Sequence, residues 1–187
     1  MIIILSSCKK ESDIIDESKS YIKVDGIEYP LTKGIYWEKY DSTDNSYIII
    51  VALYSGFSYV RIEYGMLDTQ GEGSILYFGL CCPNSEISTH NYIIDGSDNL
   101  FSCFNALYYC GCDENYNCEV EGISIKDSKG SISITKNGDA YSISFHFNAE
   151  KNRESGKKVL GHYNGNIPHA EWYNIFVDNS ADTSAPN

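Results

Sequence analysis

Basic side chains and helical patterns are both scarce in this sequence. The first absence limits the kinds of partner, and the second limits the class of fold. The chain has 187 residues, and its 14 Lys and Arg stand against 26 Asp and Glu, for a net charge of −12. Because like charges repel, this balance argues against a nucleic-acid backbone or an anionic lipid surface as a partner; a solvated exterior explains it. No stretch longer than eight residues repeats its apolar positions at helical spacing, which argues against a helical fold.

Motifs of catalysis and metal binding are missing as well. Serines lie near glycines in GEGSIL and YSGFS, but neither stretch is G-x-S-x-G and no helix signal follows, so turn glycines explain both. The run CGCDENYNC lacks the paired C-x2-C spacings of structural zinc modules. The acidic loop Asp113-Glu114-Asn115 lacks the D-x-D-x-D-G pattern of a calcium loop and is interpreted as solvated. We therefore expect no cofactor, no bound metal and no enzymatic activity.

Scattered acids and histidines give weaker signals. Two carboxylates near each other would suit glycoside hydrolysis, but the spacing of the acids predicts no shared site. The acids in question are Glu38, Asp41, Glu63 and Glu72. His146 and His162 fall on neighbouring predicted strands, so they form either a pH-sensitive or metal-binding pair or two solvent-facing strand histidines.

Tyrosine is abundant, and it favours strands. The chain has 16 Tyr and 7 Phe but 2 Met, and aromatic residues fit a pleated, half-buried surface. Tyrosines along strands serve core and cross-strand packing, whereas surface tyrosines also suit stacking on sugars. Composition alone leaves both roles open.

A first hairpin is predicted in YIKVDGIEYP. The dipeptide Asp25-Gly26 is a favoured two-residue turn, because type I′ requires positive φ at both positions. With this turn, apolar side chains lie opposite apolar ones and opposite charges lie opposite each other, as is favourable for cross-strand pairs. The predicted pairs are Val24 with Ile27, Lys23 with Glu28, and Ile22 with Tyr29.

A second hairpin is predicted in SISITKNGDAYSISFHF, with its turn at Asn137-Gly138. That turn would place Lys136 opposite Asp139, Ile134 opposite Tyr141, and Ile132 opposite Ile143. The period-two alternation indicates strands with one buried and one solvated face. The predicted buried residues are Ile132, Ile134, Tyr141, Ile143, Phe145 and Phe147. The predicted solvated residues are Ser131, Ser133, Ser142, Ser144 and His146.

Further strands, bounded by Gly, Pro, Asn, Asp or Ser clusters, complete an all-β prediction. They are Gly34–Tyr40, Ser46–Tyr54, Phe57–Tyr64, Ser74–Cys82, Asn91–Ile94, Leu100–Tyr109, Cys118–Ile125 and a last strand in KKVLGHYNGNI. A bulge or break is expected at Gly122, where the apolar alternation slips. AEWYNIF, 170 to 176, fits a strand or one helical turn. We predict one antiparallel β-sandwich of about ten short strands over 21–177, with a closed lipocalin-like β-barrel as the alternative and a disordered tail at 178–187.

Six of the seven cysteines are candidates for disulfides, and the six allow 15 connectivities. They are Cys81, Cys82, Cys103, Cys110, Cys112 and Cys118. A short loop favours a bridge from Cys118 to Cys110 or Cys112. Cys81 and Cys82 are adjacent and are expected on opposite faces of a strand, so they are not expected to pair with each other.

The start of the chain resembles the end of a bacterial lipoprotein signal peptide. The apolar residues 2–5, then Ser6 and Ser7, precede Cys8, as in a lipobox, where the cysteine carries two or more acyl chains that anchor a protein stably. The apolar run is shorter than usual and has no basic region, which indicates a late start codon or a longer precursor. The alternative is a frayed cytoplasmic N-terminus with a chance cysteine. We interpret 1–7 as a truncated signal peptide and 8–20 as the lipidated cysteine and a polar tether.

The later half of the chain adds a second resemblance. Gly130 to Ile143 fits G-x-[IV]-x-[IV]-x-K-x-G-D-x-Y-x-I, and Gly156 to Gly165 fits G-K-x-V-x-G-x-Y-x-G. With the lipobox, these segments resemble small lipoproteins of unassigned role in Bacteroidota. The resemblance implies a β-rich outer-membrane lipoprotein facing the periplasm or the cell surface, and no catalytic residue. We expect a surface binding module for a glycan, a peptide or a protein partner; a structural or accessory envelope protein is the alternative.

Overall fold

A computed structural model describes residues 15–63, 66–97, 99–115, 117–124, 130–151 and 154–170. Several predictions fall outside these residues. They concern the signal peptide at 1–7, the lipidated Cys8, most of AEWYNIF beyond Ala170, and the tail at 178–187. The described part of the tether begins at Ile15.

The described residues form thirteen strands and contain no helix, so none of them makes a helix that could span a membrane. The strands are β1 Tyr21–Val24, β2 Ile27–Pro30, β3 Lys33–Asp41, β4 Ser46–Ser55, β5 Tyr59–Glu63, β6 Met66–Gln70, β7 Gly73–Cys82, β8 His90–Ile94, β9 Ser102–Cys112, β10 Cys118–Ser124, β11 Ser131–Asn137, β12 Ala140–Lys151 and β13 Glu154–Asn166.

One curled sheet contains eleven of these strands, and the all-β prediction is confirmed. Ten follow the order β2-β1-β13-β12-β11-β8-β9-β7-β4-β3, and β10 pairs with β9 and β12. The pairs are antiparallel except β8 with β9. The layers expected of a sandwich are therefore parts of a single hydrogen-bonded sheet, which curls into a half-barrel. β5 and β6 form a separate hairpin.

The two ends of the curled sheet are held together by the chain itself. The terminal strands β2 and β3 are consecutive in sequence and are joined by Leu31 and Thr32. After β13, the chain crosses to β3: Tyr36 N donates to Pro168 O (3.1 Å) and Ala170 N donates to Tyr36 O (2.7 Å). This short parallel bridge brings the end of the described chain against β3 and keeps the sheet curled.

The curled sheet encloses the main hydrophobic core, which we call the inner core. The row of the second hairpin that was predicted to be buried lies in it, whereas Ser133 and His146 on the other face are exposed. Fully burying one Ile or Phe side chain contributes about 1.5–3 kcal/mol, so this row is a large part of the fold's stability. Representative members of the whole inner core are Ile22, Ile49, Phe78, Ile132, Ile143 and Phe145.

A smaller outer core covers the other face of β3, β4 and β7. Phe57, just before β5, and Val60 within it contribute to this cluster. β4 and β7 are consequently buried on both faces, which explains why their sequences are continuous apolar runs rather than alternating ones. The cluster also contains Ile35, Trp37, Ile50, Ala52, Tyr54, Ile75, Tyr77 and Cys112.

The first hairpin is confirmed pair by pair. Val24 lies opposite Ile27, and the two further predicted pairs are also present. Asp25 and Gly26 have φ values of 48° and 91°, the positive angles that a type I′ turn requires. Local turn chemistry therefore sets this register.

The second hairpin has the predicted faces but not the predicted register. Ile134 lies opposite Ile143, and Asn137 opposite Ala140, so the turn residues are Gly138 and Asp139. Gly138 has a φ of 63°, whereas Asp139 is not among the residues with positive φ. This is the pattern of a type II′ turn, in which glycine occupies the first of the two central positions. The predicted turn was wrong because a two-residue shift leaves every side chain on its own face, so the apolar pattern does not distinguish the two registers.

One strand was missed and one expected irregularity is absent. The missed strand is β6, because MLDTQ carries no clear alternation. No bulge is present at Gly122, since β10 pairs with β9 in unbroken register there and Gly122 lies opposite Tyr108. A Cβ at Gly122 would lie 2.7 Å from Tyr108 Oη, so the glycine makes room for this tyrosine instead of interrupting the strand.

Candidate functional site

The structure selects one of the two predicted disulfides, Cys112–Cys118. β9 carries two residues, Cys110 and Gly111, where β7 has only Ser74, and Gly111 has a φ of 64°. This glycine bulge turns Cys110 into the inner core and Cys112 into the outer core. Cys112 then lies directly opposite Cys118 on β10.

The other four candidate cysteines are buried thiols. Cys82, Cys103 and Cys110 belong to the inner core, whereas Cys81 does not, as expected for adjacent residues on opposite faces. Burial raises the pKa of the Cys103 and Cys110 thiols to about 12, and it also raises the pKa of Cys82. Since the thiolate is the reactive form, these thiols are packing residues rather than nucleophiles.

The two predicted histidines do not meet. His162 on β13 lies opposite Ser144 of β12, and its Nδ1 is 2.9 Å from Ser144 Oγ. His146 lies opposite Leu160, so the two rings occupy diagonal positions. His162 is almost fully buried, and this burial lowers its pKa. Burial therefore favours the neutral ring, whereas Glu17 and Asp16 in the tether oppose this effect.

The predicted acids are likewise not brought together. Asp41 accepts a bond from Thr43 N in the turn after β3 (2.9 Å), and Glu72 lies at the opposite end of the half-barrel. Glu38 is the one that takes part in a cluster, described below, and the side chain of Glu63 is outside the described part. Among the described residues, no group of three or more His, Cys, Asp or Glu is arranged to hold a metal ion.

The acidic loop is held by its own hydrogen bonds. Asp113 accepts bonds from the backbone N–H groups of Asn115 and Asn117, both at 2.9 Å, and from the Asn117 amide. The Asn117 side-chain bond and these backbone bonds lower the Asp113 pKa. The carboxylate therefore organises the turn that the disulfide closes.

An open cleft of about 640 Å³ lies at the disulfide end of the half-barrel. Strand ends form its floor, and two serine hydroxyls there are already engaged: Ser55 Oγ donates to Pro30 O (2.7 Å), and Ser74 Oγ accepts from Gly111 N (3.0 Å). The exposed groups are mainly Thr32 and Glu72. The cleft offers few groups to a ligand.

Most described tyrosines belong to the two cores. Burial raises the pKa of four of them to about 12. These are Tyr29, Tyr77, Tyr108 and Tyr163. Packing therefore explains most of the tyrosine content. The few described tyrosines outside the core clusters are the candidates for binding a ligand.

Three of those tyrosines, Tyr36, Tyr40 and Tyr47, lie at the opposite end from the cleft, on a surface that we call the rim, which also includes the edge of the buried Tyr141. The β3–β4 hairpin supplies one side of the rim, where alternation puts Tyr36, Glu38 and Tyr40 on one face. The register pairs them with inward-facing residues of β4: Tyr36 with Val51, Glu38 with Ile49, and Tyr40 with Tyr47. The rim consists of Tyr36, Glu38, Tyr40, Tyr47, Glu86, Lys136, Tyr141 and His169.

The outermost part of the rim is a pair of tyrosines. The rings of Tyr40 and Tyr47 are 5.3 Å apart between centroids. Tyr40 is 49% exposed, the most exposed tyrosine of those described, and its hydroxyl donates to Asn45 Oδ1 (2.8 Å). This bond and the neighbouring ring fix the orientation of an exposed aromatic face.

The remainder of the rim is a set of compensated charges. Lys136 Nζ bonds to Glu86 Oε2 (3.2 Å) and lies 5.5 Å from the centroid of the Tyr141 ring. His169 Nε2 bonds to Glu38 Oε2, and the His169 ring packs on Tyr36 with centroids 5.1 Å apart. Each base therefore has both a carboxylate and an aromatic ring as partners.

Groups from both sides of the rim influence the pKa of Tyr36. The Tyr36 pKa is raised by burial first and then by Tyr141, Glu38 and Glu86, while Lys136 opposes these effects. The bond to Glu86, followed by the bond to Tyr141, raises the Lys136 pKa. Burial therefore favours the neutral phenol of Tyr36, and the contacts of Lys136 favour its charged ammonium form.

Comparisons with protein-family models, curated proteins and solved structures gave no match to the chain. Sequence reasoning considered Glu38 for catalysis and missed its neighbours on the rim. One signal was present: the alternation of Tyr, Glu and Tyr in YWEKY marks one polar, aromatic strand face. Nothing local indicated that Lys136 and His169 would face it.

Proposed function

We propose that this protein is a lipid-anchored lipoprotein of the cell envelope, held in the outer membrane through Cys8, whose β body is a surface binding module. The anchor is supported by the lipobox-like residues 2–8 and the polar tether that follows. The binding role is supported by the rim, where exposed and half-buried aromatic rings meet polar groups on rigid strands. Glycans, peptides and protein partners are the ligand classes that fit such a surface.

The rim is the single observation that carries the binding role. The space enclosed by the curled sheet is filled by side chains that are almost completely buried, so recognition takes place on the outside. Of the two ends of the half-barrel, the cleft has the hydroxyls of Ser55 and Ser74 engaged in the fold, whereas the rim presents an oriented aromatic face. Aromatic residues in such positions dominate interface energetics.

A structural or accessory role in the envelope is the second candidate. It is favoured by the burial of most described tyrosines, which leaves few tyrosine rings on the described surface. This role requires the anchor and the fold but no ligand at the rim. The two candidates therefore differ in one property, whether substitutions at the rim change binding.

A ligand screen with rim variants tests the proposal. The full chain is applied to arrays of glycans and of peptides, alongside a variant with Tyr40→Ala and Glu38→Gln. Binding that the variant loses supports the module; the absence of any rim-dependent binding favours the accessory role. For the anchor, cells fed an alkyne-tagged fatty acid should label the wild type but not Cys8→Ala, and equal labelling would remove Cys8 as the attachment site.

A further inference from the structure

We propose that the rim binds the ring of a neutral sugar, stacked on the exposed face of Tyr40. This inference rests on the proposed binding function and narrows it to one ligand class. Two questions decide the class: which charges the rim attracts, and which of its surfaces are open to a ligand. Both are answered by the contacts within the rim.

A cationic ligand finds the two rim carboxylates, Glu86 and Glu38, already paired with bases of the protein. An ammonium or guanidinium group is bound by aromatic faces and carboxylates. Here Lys136 is held by Glu86 and Tyr141, and His169 is held by Glu38 and Tyr36. A basic peptide would therefore have to displace a base that belongs to the protein itself.

An anionic ligand is opposed by charge. Each basic side chain named in the rim has a carboxylate partner: Lys136 pairs with Glu86 at 3.2 Å, and His169 pairs with Glu38. The chain as a whole carries a net charge of −12, so the long-range field also repels anions. Sugars that bear carboxylate or sulfate groups are disfavoured on both grounds.

A neutral ring meets neither obstacle and has a surface to stack on. The face of an aromatic ring is weakly negative, so it attracts the weakly positive C–H groups of a sugar ring. Tyr40 offers such a face, backed by Tyr47 and oriented by Asn45. The oxygen of the Asn45 amide accepts from the Tyr40 hydroxyl, and the NH2 group of the same amide is a donor for a sugar hydroxyl beside the ring.

The test compares ligand charges and matched variants. Full-length protein is titrated with neutral hexose oligosaccharides, with uronate- or sulfate-bearing oligosaccharides, and with oligolysine peptides. Tyr40→Ala removes the stacking face and is expected to weaken binding of neutral sugars about tenfold or more, whereas Tyr40→Phe keeps the ring and most of the affinity. Ile27→Ala is the control, because Ile27 is similarly exposed (54%) but lies at the β1–β2 turn. Circular dichroism and thermal melts establish that each variant is folded.

The outcomes separate this inference from the proposed function. Binding of neutral oligosaccharides that depends on Tyr40, with little binding of the charged ligands, supports both. Preference for an acidic glycan or for oligolysine, with the same dependence on Tyr40, overturns the neutral-sugar assignment and leaves the binding module standing. If no neutral oligosaccharide binds, or if Tyr40→Ala leaves its binding unchanged, the neutral-sugar inference is overturned; the binding module itself is overturned when the glycan and peptide arrays also give no binding that depends on the rim.

Discussion

Removing the Cys112–Cys118 disulfide should destabilise the fold by a predictable amount. The bridge joins residues six apart, so it closes a loop of about seven residues. The chain-entropy relation for a loop of this size gives about 2.4 kcal/mol at 25 °C. For a chain of this length, each kcal/mol lowers Tm by about 2–4 °C, so the double variant Cys112→Ser/Cys118→Ser should melt about 5–10 °C below the wild type.

Denaturant titration of three samples checks this value. Wild type in dithiothreitol should unfold at the midpoint of the double variant, because both lack the same closed loop. A difference between oxidised wild type and double variant below about 0.5 kcal/mol would refute the entropic reasoning. Peptide mapping without reduction provides the independent check on connectivity: a Cys110–Cys118 peptide in place of Cys112–Cys118 would refute the assignment of faces at Gly111.

Two further results are expected. Gly161→Ala should lower the free energy of unfolding by about 3 kcal/mol or more in a denaturant titration, because the added Cβ would lie 2.1 Å from the Tyr21 carbonyl oxygen and 2.6 Å from the Phe145 ring. Gly138→Ala is the matched control: its Cβ would meet open space, but the φ of 63° should still lower the free energy of unfolding by about 1 kcal/mol. Equal losses in the two variants would contradict the close packing around Gly161. The four tyrosines with a pKa of about 12 remain protonated in the folded state at a pH where the unfolded chain, with phenols near 10, loses protons. Their contribution to stability should therefore be complete below pH 10 and decline between about pH 10 and 12, and ultraviolet titration that finds every phenol ionising near pH 10 would contradict their burial.

The correct predictions rest on short-range rules. The Asp25-Gly26 turn was identified because few residues accept positive φ at two consecutive positions. The buried row around Ile143 was identified because strand side chains alternate between faces. In both cases the information lies within about fifteen residues of chain, so no knowledge of the rest of the fold was needed.

The errors arose where short-range rules allow two answers. Asn137-Gly138 and Gly138-Asp139 are both acceptable turns, and they differ by a shift that moves no side chain to the other face. At Gly122, the apolar alternation of β10 slips, but the strand has no bulge there. Both faces of the neighbouring strand β9 carry packed residues, so β10 can place apolar side chains on either face without a break.

The sequence by itself determined that this chain is built from strands, which strand faces are buried, and where its first reversal falls, because backbone preferences and alternation act between near neighbours. Only the tertiary structure decided the curl into one half-barrel, the choice of Cys112 over Cys110, and the assembly of the rim. The rim joins the β3–β4 hairpin to Lys136 and His169, which are about a hundred or more residues away in the chain. Such contacts depend on how the whole sheet curls and on bulges such as that at Gly111, and these are settled by packing across strands rather than by any local pattern.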